Sequence, residues 1–288
     1  MNDWTFSSII WSSLCPILLA LLLLTACQSE GEAPEPIPVQ AYPTLPYQSL
    51  TLSEVWKSDA QPVTLTQQFD CTEGHLTRYT ARQSIHADNE TVLLETTTDL
   101  TYRDSLATAT DDRGNTYLYV LNIDGYATRC LLNEGTDRQR SYTFDYLVNS
   151  EQQYFLRSVV EQLADGTEHS RIEIENSSFR QLLLTHTVGG VTQRYRLNNT
   201  AQSEIANAAQ VPCLFLTELH PLSEHLPALY GKLLGEPAKV MIEQVDAGGD
   251  HLLHYSYQLD NNGWPTSVIA TVAHFGTATT HAVAYQFQ

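Results

Sequence analysis

The chain has 288 residues, with 33 Asp and Glu against 15 Lys and Arg and a formal net charge of −18. A surface this acidic repels phosphate backbones and anionic headgroups, which excludes nucleic acid as a partner. The excess is spread along the sequence rather than gathered in a tail, and reads as solubility rather than a binding code.

In chain order, Met1-Asn2-Asp3-Trp4-Thr5 lacks the Lys or Arg that usually opens a signal peptide, yet an apolar run follows at residues 16–24. That run has the length of a signal-peptide core and is short for a bilayer span. It ends in Leu24-Thr25-Ala26-Cys27, which resembles the lipobox of bacterial lipoproteins. Residues 1–26 are therefore read as a lipoprotein signal peptide and Cys27 as the lipidated residue. The expected address is the cell envelope, with the outer membrane reached through the lipid anchor. Residues 27–49 carry Pro34, Pro36, Pro38, Pro43 and Pro46 between small and acidic residues, the composition of a semi-rigid tether. Residues 50–288 then form a single domain, long enough for one large core.

From Val63 onward apolar and polar residues alternate, as in Arg171-Ile172-Glu173-Ile174-Glu175, which is the period of half-buried strands. Asp111-Asp112-Arg113-Gly114-Asn115, Asp165-Gly166, Gly189-Gly190 and Asn261-Asn262-Gly263 punctuate the alternation as turns. Roughly a dozen or more strands in sequence order imply an antiparallel meander. Two hairpins repeat without a gap: Tyr117-Leu118-Tyr119-Val120-Leu121-Asn122-Ile123-Asp124-Gly125-Tyr126-Ala127-Thr128 and residues 255–266, with the shared pattern Tyr-x-Tyr-x-Leu, turn, Gly, aromatic, x-Thr. A looser third copy begins at Phe69, with a turn read as one residue longer. None of these loops places carboxylates at both ends of a calcium loop, so calcium is not expected. With Cys15 removed and Cys27 acylated, Cys71, Cys130 and Cys213 remain; buried free thiols are favoured over one disulfide.

One helix interrupts the strands. Ser223 is the expected cap of residues 224–234, with Leu226, Leu229, Tyr230 and Leu233 on one face and Gly235 and Pro237 ending it. Residues 199–210 suggest a short second helix. His220 and His225 lie near Glu218 and Glu224, the densest potential ligand cluster, but Pro221 breaks their register, and scattered surface histidines are the reading adopted. No nucleophile elbow, zinc-protease pair or phosphate loop occurs. No catalytic residue, metal or cofactor is therefore expected, and activity as an enzyme is disfavoured. Tyr117, Tyr119, Tyr255 and Tyr257 are the candidate ligand-binding residues, lining a concave face against a sugar or an apolar ligand; the alternative is core packing against the helix.

The tyrosine hairpins, the stretch from His220-Pro221-Leu222-Ser223 to Leu233-Leu234-Gly235, and the Tyr-x-Tyr-x-Leu-Asp-x-x-Gly-x-Pro-Thr of residues 255–266 together resemble a family of Bacteroidota lipoproteins, domain of unknown function 4595, with a porin-like fold. The resemblance covers about residues 60–288. It implies an all-β protein with one inserted helix, its large antiparallel meander sheet curling into a barrel-like or half-barrel shape, and carries no catalytic residues across. Glu30 and Glu32 after Cys27 look like the signal that sends such lipoproteins to the outer leaflet. The function expected is a non-enzymatic binding module for an extracellular glycan or apolar ligand. The alternative is a structural lipoprotein pairing with other envelope proteins, and a hydrolase comes third. Oligomeric state is left open.

Overall fold

The computed structural model describes residues 40–57, 62–87, 90–178, 181–199, 204–248, 252–274 and 277–288. The expected signal peptide, Cys27 and the proline-rich stretch up to residue 39 lie outside them. Sixteen strands form a closed barrel among the described residues. They are β1 Ser49–Lys57, β2 Pro62–Thr72, β3 His75–Ala87, β4 Glu90–Arg103, β5 Leu106–Asp111, β6 Thr116–Leu121, β7 Ala127–Leu132 and β8 Arg140–Val148 in the first half. The second half has β9 Tyr154–Leu163, β10 Glu168–Ser178, β11 Gln181–Val188, β12 Val191–Asn198, β13 Gln244–Asp246, β14 Leu252–Leu259, β15 Pro265–His274 and β16 Thr277–Phe287. Each strand pairs with its sequence neighbour, and β16 returns antiparallel onto β1 with Leu50 opposite Phe287. The meander expected from the alternation is thus closed, although β13 has only three residues and leaves Val191–Tyr195 of β12 and Ser256–Leu259 of β14 without a partner on that side among the described residues.

The alternation divides the two faces of the wall. Leu50, Leu52, Phe69, Val159, Ile172, Leu184, Leu197, Val268 and Val283 point inward and are buried. The outward positions between them carry Thr, Ser and ion pairs such as Arg78–Asp99 at 2.7 Å, Arg82–Glu95 at 2.9 Å and Arg157–Asp145 at 3.7 Å.

The two gapless hairpins are the same object twice. Asn122 in one and Asp260 in the other accept, through a side-chain oxygen, the backbone N–H groups of Asp124 and Tyr126 or of Asn262 and Trp264. Each has a β-bulge at the same place, Val120/Leu121 and Gln258/Leu259, and a threonine, Thr128 or Thr266, donating 3.2 Å to the carbonyl eight residues back. Cys130 and Val268 occupy matching buried positions, and Cys71, Cys130 and Cys213 are all free thiols. The third copy turns through Glu73-Gly74 alone, so its turn is shorter than in the other two, not longer.

Residues 204–243, which precede β13, fill the interior. They hold α1 Leu214–Thr217, a 3-10 turn Leu222–His225 and α2 Leu226–Tyr230. The long helix expected over 224–234 is therefore shorter, and its N-cap is His225 rather than Ser223. Pro227 cannot donate within a helix body and is confined to the first turn of a helix that starts at Leu226, and Leu233 N–H bonds back to Ala228 in an unwound turn. The helix expected over 199–210 is absent from its described part. The Asn207 side chain instead donates to the carbonyls of Val211 and Ala238 and accepts from Val211 N–H, taking the backbone partners a helix needs. Tyr230 stacks on Phe69 with ring centroids 4.1 Å apart, Leu222 and Leu233 are fully buried, and Ala127 N–H donates to Leu233 O. Each such large apolar side chain contributes about 1.5–3 kcal/mol of burial, so the core lies between wall and insertion.

A strap, residues 40–48, crosses the end of the barrel where the insertion enters. Ala41 N–H donates to Ile123 O, Leu45 N–H to Gly74 O, and the Tyr42 hydroxyl to Asp104 O. Leu45 and Tyr47 are buried. The part of residues 27–49 that is described is thus not a free tether; the folded unit begins at Gln40.

Candidate functional site

Inside the barrel a half-enclosed cavity of about 200 Å3 remains beside the insertion. Its walls are Tyr79 of β3, Thr96 and Thr98 of β4, Asp111 of β5, and Tyr117 and Tyr119 of β6; Ser223, Glu224, Leu226 and Pro227 of the insertion close it below. Hydroxyls and carboxylates therefore share the lining with aromatic rings. Tyr117 and Tyr119 stand two apart on β6, so the strand period brings both to the inner face with rings nearly parallel, 6.4 Å between centroids. Tyr119 is fully buried and Tyr117 half-buried. A larger cleft, about 790 Å3, lies outside the barrel between the strap and the Asp260–Trp264 turn, with Trp264 and Phe287 in its wall.

Below the cavity runs a polar network. The Glu161 side chain of β9, 3 % exposed, accepts from Ser170 Oγ at 2.7 Å and from His220 Nε2 at 2.6 Å, and faces Arg140 at 3.7 Å. His220 Nδ1 lies 3.3 Å from Glu224, which also accepts from the Tyr142 hydroxyl at 3.0 Å. His186 Nε2 donates to the His220 carbonyl at 2.6 Å. These bonds to Glu161 and Glu224 hold the His220 imidazolium up to about 9. Burial alone would raise Glu161, but the bonds from His220 and Ser170 outweigh it and lower the carboxyl; the bond from His220 lowers Glu224 likewise. His169 joins the group through a bulge: Glu168 pairs with Gln162 and Ser170 with Glu161, which leaves His169 as the extra residue, its ring 5.8 Å from that of His220.

Of the sequence cluster, His220 and Glu224 stay paired while His225 and Glu218 leave it, so these histidines are not the scattered surface residues expected. His225 is fully buried, 2.9 Å by Nδ1 from the Tyr119 hydroxyl and ringed by Tyr117, Tyr142 and Phe144, and burial drives it down to about 4, so it is neutral. Glu218 lies instead near Glu54 of β1; burial, reinforced by the charge of Glu218, pushes Glu54 up to about 7, and burial raises Glu218. Of the four tyrosines, Tyr117 and Tyr119 line the cavity. Tyr255 is buried and Tyr257 donates to Ile242 O at 2.8 Å, so that pair packs against the insertion elsewhere in the barrel. Glu161, Ser170 and His169 were not among the candidate residues. Their strand pattern shows only alternation, and their partner His220 is reached by closure of the barrel.

A family model described as a domain of unknown function (DUF4595) with porin-like fold matches residues 69–267. The crystal structure of a porin-like protein from Bacteroides uniformis is 40% identical over 86% of this chain and 100% of that chain, with a TM-score of 0.82. A porin-like protein from Bacteroides vulgatus aligns over 82% of this chain and 87% of its own at 10% identity and a TM-score of 0.25, a likeness that carries no argument. No curated protein matches the chain.

Proposed function

The chain belongs to the family of domains of unknown function (DUF4595) with porin-like fold, and on that premise we propose that it is a cell-envelope protein that binds a small polar ligand inside its barrel. Anchoring is through Cys27 to the outer membrane, and the porin-like relative supports the envelope address. The outer face supports a barrel standing in water: a barrel in lipid needs an apolar band about 25 Å tall, whereas Arg78–Asp99 and Arg82–Glu95 pair across the outside of β3 and β4.

The observation that carries the binding reading is the lining of the inner cavity. Two stacked tyrosines beside Thr96, Thr98, Asp111, Ser223 and Glu224 offer a ring face together with donors and acceptors, the combination that suits one sugar ring better than an apolar ligand. Hydrolysis is not supported. A glycosidase needs one carboxyl kept protonated to act as acid. The Asp111 carboxylate is taken up by the N–H groups of Arg113 and Asn115 in its own turn, and Glu224 is lowered by His220. Pairing with other envelope proteins through a sheet edge is left, among the described residues, only the short stretches of β12 and β14 that the three-residue β13 does not cover.

Titration calorimetry of the full chain in detergent, against neutral monosaccharides, short glycans and fatty acids, tests the reading. Sugar binding that Tyr117→Ala weakens at least about tenfold, as loss of one stacking face would, and that Trp264→Ala leaves unchanged is the result expected. No heat with any sugar, or loss with Trp264→Ala alone, contradicts it; the latter places the ligand in the outer cleft.

A further inference from the structure

We propose that Glu161, His169 and His220 form a binding site for a divalent transition-metal ion of the zinc class, which fastens the inserted segment to β9 and β10. One donor atom from each of the three residues lies within 4.8 Å of the other two. Two imidazoles with one carboxylate suit zinc and its neighbours, whereas calcium and magnesium take oxygen ligands alone. Three protein ligands leave a fourth tetrahedral position for water.

Two features independent of the donor set point the same way. The first is the outer shell. A metal-binding histidine usually hands its second N–H to a carboxylate, which fixes the tautomer and turns the other nitrogen to the metal. His220 has that arrangement: Nδ1 faces Glu224 at 3.3 Å, Glu224 is held by the Tyr142 hydroxyl, and Nε2 is directed at Glu161. Glu161 is in turn oriented by Ser170 Oγ at 2.7 Å, and the His220 carbonyl is fixed by His186. The second is the bulge at Glu168/Ser170, which adds one residue to β10 and brings His169 to the ring of His220. Bulges commonly re-aim a side chain in this way at functional sites. Arg140 is the cation facing the group, 3.7 Å from the other oxygen of Glu161. The metal takes the lone pair of His220 Nε2, and the proton now on that nitrogen leaves to solvent.

Zinc(II) chloride is the probe. The full chain, stripped with chelator, is exposed to it and desalted, and retained zinc is counted by elemental analysis; cobalt(II) then reports geometry by its visible spectrum. A single retained zinc per chain, an intense tetrahedral cobalt band, and affinity lowered at least about 100-fold by His169→Ala and Glu161→Gln are expected. His254→Ala, on the outer side of β14, leaves retention unchanged. Glu161→Gln removes a buried charge and risks the fold, but His169 is a half-buried bulge residue whose ring contact is with His220, so its variant reads metal binding in a folded barrel, checked by far-UV dichroism. Equal retention by the wild type and His169→Ala, or none by the wild type, overturns the site.

Discussion

At the scale of single residues, His220 joins the insertion to the wall through its bond to Glu161 of β9. Replacing His220 with Ala takes from buried Glu161 its closest charged partner, leaving Ser170, His169 and a distant Arg140, and is expected to cost about 3 kcal/mol in chemical denaturation, as unpairing a buried charge does. The pH dependence has a definite sign. The His220 pKa is raised from 6.5 to about 9, so its contribution is complete below 6.5 and lost as pH rises through 9. Glu161 and Glu224 are lowered, so theirs is complete above 4.5 and lost in acid. Glu54 runs the other way. Raised from 4.5 to about 7, it makes folding less favourable as pH climbs between those values. Glu54→Gln is therefore expected to stabilise the protein at pH 8 by about 1–2 kcal/mol and not at pH 4, measured by the same denaturation. The sequence made His220 and Glu224 visible as near neighbours. It could not show Glu161, which lies 59 residues away and meets His220 across the lumen.

At the scale of elements, the turns were the most legible part, because Asn or Asp, then Gly, specifies each one by local hydrogen bonds. Gly125 and Gly263 sit in matching turns with φ of +87 and +78. Their surroundings differ. A Cβ on Gly125 would stand 2.5 Å from Ala41 O and 2.7 Å from Pro43 Cδ, whereas one on Gly263 meets only Ala208 Cβ at 3.8 Å. Gly263→Ala is thus expected to cost about 1 kcal/mol of left-handed strain, and Gly125→Ala about 2–3 kcal/mol. Only Gly125→Ala should speed proteolysis within residues 40–48, because it pushes the strap off. Equal costs and equal cleavage of the two variants would count against the strap as part of the fold. The helices were less legible: the apolar spacing of Leu226, Leu229, Tyr230 and Leu233 fits a helix, but Pro227 and the Ala228–Leu233 bond cut it to one turn and a half of irregular chain packed by its surroundings.

At the scale of the molecule, alternation predicted many antiparallel strands but not that the last would find the first. Closure depends on the count of strands and their tilt, and no pair such as Leu50 and Phe287 announces itself in sequence. The same closure creates the lumen, and with it the cavity beneath Tyr117 and Thr96. A binding barrel requires that this cavity be reached from solvent and filled by ligand. Thr96→Cys, treated in the full chain with a small water-soluble thiol reagent, tests it most directly. The native background is low, since burial pushes Cys71 up to about 12 and Cys213 up to about 11 and Cys130 is fully buried. The new thiol is expected to react well above that background and to be slowed by the sugar bound in calorimetry. Reaction no faster than in the unmodified chain, or no protection by a sugar that binds, would contradict a binding barrel.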